Sequence, residues 1–237
     1  MHHAVLDEWS RRESPVHRRD ARAKLIALAA FLVAVATAQR QAAGLLVLDS
    51  LLLIVWAAAA RIPLAGALAR AAVVLPFSLA FAGMTALAGD PQRAWMLLAK
   101  SYVSGLAVLL LVATTPVPKL LRGLESLGTP GFLVMVTQFI YRYLFVLSEE
   151  AQHMRIAALS RGMRRMPFRA AAGAAAVLFA RAHSRAAAIH HAMLARGFDG
   201  SFRTLTAPRF GWKDGAFTLA AAMAPLALRF TVGGGIG

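Results

Sequence analysis

The chain has 237 residues, of which 59% are hydrophobic and only 16% charged, and it carries a net charge of +15 and no cysteine. Soluble domains average about 45–50% apolar and about 25% charged residues, so this composition, with a mean hydropathy of +0.60, is that of a membrane protein. It excludes disulfides, zinc–thiolate sites and thiol nucleophiles, and its positive charge lies between long apolar runs rather than on the polar, aromatic-studded surface a nucleic-acid partner needs.

The N-terminus is polar and charged through Lys24 and shows no short apolar core followed by a cleavage site. The first apolar run is therefore expected to stay in the membrane as a helix. Four apolar segments follow one another at 24–38, 42–60, 64–88 and 94–115, each near the about 20 residues a helix needs to span the hydrocarbon core. The first is short, and Arg22 and Lys24 are expected to snorkel from its cytoplasmic end. Arg61-Ile62-Pro63 and Gly89-Asp90-Pro91 are compact breaks between spans. A fifth apolar segment covers 215–232, and the last residues, GGGIG, read as a flexible tail.

Between the fourth and fifth segments, residues 116–213 differ in character. They include the apolar run FLVMVTQFIYRYLFVL (132–147) and the alanine-rich run AAAGAAAVLFARA (170–182). Five spans place the N-terminus, the loop around Arg61 and all of 116–213 on one side. That side then holds every Lys and Arg among the 26 except Arg40, Arg93, Lys100 and Arg229, which marks it as cytoplasmic. Two further spans would move Arg155, Arg161, Arg164, Arg165 and Arg169 outside and leave Arg142 inside a span with no obvious partner. The expected architecture is an all-α integral membrane protein of about five transmembrane helices, with long cytoplasmic or interfacial helices between the fourth and fifth. Residues 1–115 form the N-terminal segment and four spans, 116–213 the cytoplasmic helical region, and 214–237 the last span and tail.

Inside 116–213, Pro116-Val117-Pro118 opens a short amphipathic helix, KLLRGLESLG, with leucines at 120, 121, 124 and 127. Gly128 caps it, and Thr129-Pro130 starts a long helix that runs to Arg161 and is ended by Gly162. Pro167 begins another, which runs to Arg196 and is ended by Gly197. The two endings correspond at a spacing of 35 residues: Ala157, Leu159, Arg161 and Gly162 match Ala192, Leu194, Arg196 and Gly197. Arginine followed by glycine is an ordinary helix ending, since unpaired carbonyls favour a nearby cation, and Arg122-Gly123 shows that the dipeptide alone is not specific. The functional alternative is that small residues before each arginine let the helix end approach another surface, where a rigid guanidinium fork pairs with a carboxylate in a partner's groove. Two equivalent tips suit a partner that is present twice.

These residues resemble the transmembrane T component of energy-coupling factor transporters, especially the cobalt/nickel (CbiQ-like) type. The resemblance is carried by FIYRYLFVLSEEAQHMRIAALSRG and RAHSRAAAIHHAMLARGFDG, and is supported by DEWSRRESPVHRRDARAKL and PVPKLLRGLESLGTP. The family's paired Ala-Arg-Gly motifs are similar to Ser160-Arg161-Gly162 and Ala195-Arg196-Gly197, with serine in place of the usual alanine in the first. Ala21 also stands where a proline commonly follows the aspartate. The resemblance implies that these two motifs end cytoplasmic coupling helices and dock into two ATP-binding-cassette subunits. It also implies contact with a separate substrate-binding membrane subunit that holds the metal. The chain has no GxxxxGK[ST] phosphate loop, so it is expected to transmit work and not to be an enzyme, in the cell inner membrane with its N-terminus cytoplasmic.

Other features carry less. His190 and His191 are adjacent and diverge on a helix, while His183 and His190 share a face without an evident third ligand; no metal or other cofactor is expected on this chain. Glu149 and Glu150 are adjacent and suited to ion pairs with neighbouring arginines. Arg142 either snorkels or pairs with an acid across the bundle. Two other readings stand beside the coupling subunit. One is the permease of another ABC-type importer, although Glu150-Ala151-Gln152 lacks the continuation such a loop carries. The other is a membrane-embedded enzyme, for which Asp49 is the only acid well inside a span.

Overall fold

The computed structural model describes residues 14, 16, 17, 19–37, 43–162, 167–200, 211, 212, 214–221 and 223. Among these, every regular element is helical. The chain divides into two compact units, one formed by 1–127 with 207–237 and the other by 128–206.

In the first unit α1 (Ala21–Ala36) begins where the Asp20 carboxylate accepts the Arg22 amide at 2.9 Å, satisfying one of the orphan donors of a helix start. Helix α2 (Ala43–Ala59) follows. The expected span 64–88 is one helical path in two pieces, α3 (Leu64–Ala71) and α4 (Leu75–Leu87), joined by a 3₁₀ turn at Ala72–Val74. The sequence reading did not anticipate this break, and Pro76 is its physical cause. Its ring has no N–H to donate and clashes with the carbonyl four residues back. Helix α5 (Pro91–Thr114) starts at Asp90, which accepts the Arg93 amide at 3.0 Å.

Helix α5 is the hub, lying against α1, α2, α3 and α4. Its Val103, Leu106, Ala107 and Leu110 are buried with Phe31, Val35, Leu53 and Ala57. Gly105 lets the 3₁₀ turn come close: a Cβ there would meet Val74 Cγ2 at 3.0 Å. The outward faces carry Val47, Val55, Phe77, Met84, Leu87 and Trp95, all exposed. That distribution fits lipid as the surrounding medium, since hydrocarbon imposes no penalty on apolar surface.

Among the described residues three helices are long and apolar enough to cross a membrane: 64–87, 91–114 and 131–160. Helix α2 contributes a shorter apolar stretch, 46–59. The chain is thus an all-α, multi-pass membrane protein. Residues 214–221 are helical, and most of the expected fifth span lies outside the described residues.

Lys24 departs from the sequence reading. It does not snorkel but is fully enclosed, at 0% exposure, because the end of α5 packs over it. Helix α6 (Val117–Ser126) takes the place expected for the amphipathic segment and packs on α1. Gly128 follows it at φ +103°, the left-handed cap conformation that glycine adopts without strain.

The second unit contains α7 (Gly131–Ser160) and α8 (Phe168–Ala195). An ion pair between Glu150 of α7 and Arg181 of α8 links them. Of the residues in these two long helices only Val134 is buried. Phe132, Ile140, Ile156, Phe168 and Phe179 are all more than half exposed, so this pair has almost no core of its own. Because α7 itself has the length and hydropathy of a span, the interfacial placement expected for 132–147 is carried by charge distribution alone. Arg142 is exposed, with its guanidinium 6.0 Å from the Tyr143 ring centroid.

Candidate functional site

Both arginine–glycine motifs sit at the helix ends expected from sequence. Ser160 closes α7, and Arg161 is its C-cap at φ −87°, ψ 14°. Ala195 closes α8, and Arg196 is its C-cap at φ −94°, ψ 9°. The glycines that follow are left-handed, Gly162 at φ +85° and Gly197 at φ +77°. In each case the glycine amide donates to the carbonyl three residues back, Gly162 to Leu159 and Gly197 to Leu194, both at 3.0 Å. At the second ending the Phe198 amide also donates to Met193 at 3.1 Å, which completes the double closure of a Schellman cap. The two motifs therefore share an Arg-Gly pair, a left-handed glycine and its amide bond to the carbonyl three residues back.

The cap determines where each arginine stands. A left-handed residue turns the chain sharply away from the helix axis, so the C-cap side chain projects from the tip. Arg161, Gly162, Ala195, Arg196 and Gly197 are all exposed, and a Cβ on either glycine would meet nothing within 4 Å. Among the described residues neither guanidinium is held in an ion pair. Ser160 turns its hydroxyl back to the Ile156 carbonyl at 3.1 Å, which satisfies the hydroxyl within its own helix. Serine thus presents nearly the same small outer surface as the alanine at the matching position.

The tips are not one cluster. Helix α8 has 28 residues, about 42 Å at 1.5 Å per residue, and the chain from Gly162 to Phe168 reaches at most about 22 Å, so the two glycines lie at least about 20 Å apart. One small ligand cannot engage both.

Arg122-Gly123 is of a different kind, for a reason the sequence did not disclose. Gly123 is buried inside α6, and a Cβ there would meet Leu25 Cδ1 at 3.1 Å and Ala21 Cβ at 3.2 Å. This glycine serves the approach of α6 to α1, not a helix ending.

Glu150 reaches Arg181, a partner 31 residues away and not a sequence neighbour. His190 and His191 have ring centroids 5.9 Å apart at 55°, and both are exposed with His183. Among the described residues no three His, Cys, Asp or Glu side chains converge to hold a metal ion. Asp49 is buried within α2. Sequence reasoning missed Lys24 and Gly123, whose roles depend on neighbours up to about a hundred residues away.

Gly197→Ala tests whether the cap matters apart from the charge. Alanine at φ +77° is strained, with a cost of about 1 kcal/mol, although space is available for its methyl group. The expected result is a frayed last turn of α8, read as faster amide exchange at Met193–Phe198, with global thermal stability shifted little.

Residues 12–207 match the family model described as CbiQ, cobalt transport protein. The cobalt transport protein CbiQ of Rhodobacter capsulatus is 33% identical over 154 residues, covering 64% of this chain and 63% of that protein. The nickel permease LarQ of Lactiplantibacillus plantarum is 30% identical over 106 residues, covering 43% and 38%. An uncharacterized protein of Methanocaldococcus jannaschii is 33% identical over 102 residues, covering 42% and 38%. The chain thus aligns with less than two thirds of the length of each of these relatives.

Proposed function

Because this chain belongs to the CbiQ family of cobalt transport proteins, we propose that it is the membrane coupling subunit of an energy-coupling factor importer for cobalt or nickel. In this role it carries ATP-driven motion from two cytoplasmic ATP-binding-cassette subunits to a separate substrate-binding membrane subunit. The observation that carries the reading is the pair of geometrically matched, exposed arginine tips on α7 and α8. Two equal docking points at least about 20 Å apart fit two copies of one partner, as ATP-binding-cassette subunits work in pairs.

The division of labour follows from the physics of each part. The first unit has a packed core of membrane helices. In the two long helices of the second only Val134 is buried, which leaves apolar surface for a docking partner to cover. Ser160, Arg161 and Gly162 form one docking tip and Ala195, Arg196 and Gly197 the other. Each guanidinium offers a planar, permanently charged fork to a carboxylate in the ATPase surface. The basic face of 116–213 and the charged N-terminus then lie on the cytoplasmic side of the inner membrane. Metal cargo is held by the substrate-binding subunit, and ATP is hydrolysed by the ATPases.

The test is co-expression with candidate ATPase and substrate-binding subunits. Tagged chain is expected to retain two ATPase copies per chain by native mass spectrometry. The cells are expected to accumulate cobalt or nickel only when all components and a hydrolysis-competent ATPase are present. Purification free of any ATPase, together with metal uptake that is indifferent to ATPase inactivation, would overturn the proposal.

A further inference from the structure

Lys24 is the largest side chain fully enclosed among the described residues. It lies in the first turn of α1, and its ammonium donates to the Thr114 carbonyl at 3.0 Å and to Thr115 Oγ1 at 2.9 Å. Thr114 is the last residue of α5. Thr115, its C-cap, is extended at φ −143°, ψ 117°, and leads directly into Pro116, the N-cap of α6. The lysine therefore clamps the elbow where the last helix of the α1–α5 bundle turns into α6.

Thr114 and Thr115 are both buried at this elbow, and the Thr114 hydroxyl donates back to the Leu110 and Leu111 carbonyls at 2.8 and 3.2 Å. Pro116 and Pro118 have no amide hydrogen to donate, and the Thr114 carbonyl, one of the terminal carbonyls beyond the helical ladder, accepts from Lys24. A cation placed there meets the negative end of a 24-residue helix. Burying an ammonium carries a desolvation cost that an apolar side chain of similar length avoids, so packing alone does not account for a lysine here. Beyond the elbow α6 returns to α1, with Gly123 in contact with Ala21 and Leu25. The same end of α1 is tied to the C-terminal segment: the Asp20 amide donates to Asp214 Oδ1 at 3.3 Å, and Arg19 Nη1 lies 3.9 Å from that oxygen.

We propose that Lys24 is a positioning residue for coupling: it locks the α5–α6 elbow to α1, so that displacement of α6 moves α5 and α1 together instead of being absorbed by rotation at the Thr115–Pro116 junction. This rests on the coupling role proposed above. Nothing on the arginine tips is involved, so the two ideas fail separately.

The chain has no cysteine, which allows direct spin labelling at Trp95→Cys on α5 and Glu125→Cys on α6, both exposed positions. In the assembled complex the 95–125 distance distribution is expected to be narrow for Lys24 and clearly broadened for Lys24→Met. Complexes carrying Lys24→Met are expected to keep their ATPase subunits and hydrolyse ATP, but to move roughly tenfold less metal per ATP, the size of effect that loss of charged hydrogen bonds brings. Lys24→Arg is expected to restore part of the ratio. Should Lys24→Met fail to assemble, Thr115→Val removes one acceptor and leaves the other, and the same broadening is expected in milder form. An unbroadened distribution with an unchanged metal-to-ATP ratio, in whichever of these variants assembles, overturns the latch. Loss of ATPase binding on Arg161→Glu with Arg196→Glu in the same experiment shows that the coupling role itself still stands.

Discussion

Reversing both tips, Arg161→Glu with Arg196→Glu, is expected to strip the ATPase subunits from the purified chain and abolish ATP-dependent uptake. Truncating one side of a buried, hydrogen-bonded charge pair costs about 2–5 kcal/mol, and reversal adds repulsion. A glutamate at a helix C-terminus also faces the negative end of the helix dipole, a further cost of about 0.3–1 kcal/mol. The informative comparison is with the single variants. The tips are separated by at least about 20 Å, so the effects should add as for independent sites. Each single variant is expected to retain one ATPase copy, and the double variant none. If both arginines served one shared site, each single variant would lose as much as the double. Arg161→Lys and Arg196→Lys keep the charge and lose only the fork, so a partial loss of binding is expected from each. Native mass spectrometry of the purified complexes reads all of these outcomes.

Gly123→Leu is the second large effect, and it acts on the fold. A Cβ at residue 123 already meets Leu25 Cδ1 at 3.1 Å, Ala21 Cβ at 3.2 Å and the Ala21 backbone carbon at 3.4 Å. The longer side chain has to displace α6 from α1, and such overpacking costs about 1–3 kcal/mol. The expected result is a clear drop in the unfolding midpoint in detergent. A cysteine placed at Ala21 should also become newly accessible, which is readable in a cysteine-free chain. Gly123→Ala should behave differently. Leu25 Cδ1 is the far end of a flexible side chain and can shift, and alanine gains about 1 kcal/mol of helix propensity over glycine. Near-neutral stability is expected, and a large loss from alanine would show that Ala21 cannot give.

The two predictions draw on different kinds of knowledge. Arg161 and Arg196 were visible in the sequence because a helix ending is local: the small residues, the arginine and the glycine lie within one turn, and the cap forms from those residues alone. The same locality made α6, α7 and α8 readable to within a residue or two. Gly123 was legible only as a non-specific match. Its meaning depends on Ala21 and Leu25, about a hundred residues earlier, and no local pattern encodes that approach. Lys24 was read in the wrong direction for a related reason. Near the end of an apolar run, a lysine is expected to reach for water. Here the two acceptors are supplied by the end of another helix 90 residues on. The broken span at 72–74 sits between these cases: Pro76 was present to be read, but the close packing of Gly105 that accommodates the break was not.

By itself, then, the sequence determined the membrane class, the order and ends of the long helices and the paired arginine–glycine endings. Each of these follows from composition, apolar periodicity and cap chemistry, which act over one or two helical turns. Only the tertiary structure decided that α5 is the hub, that a 3₁₀ turn interrupts the 64–87 helix, that Gly123 is a close approach and that Lys24 is enclosed. Those facts depend on which apolar faces meet, and in a chain so rich in alanine and leucine many pairings bury similar area. Close approach at Gly105 and Gly123 and the burial of one ammonium against two oxygens select among them, because sterics and unsatisfied charge discriminate where hydrophobicity does not.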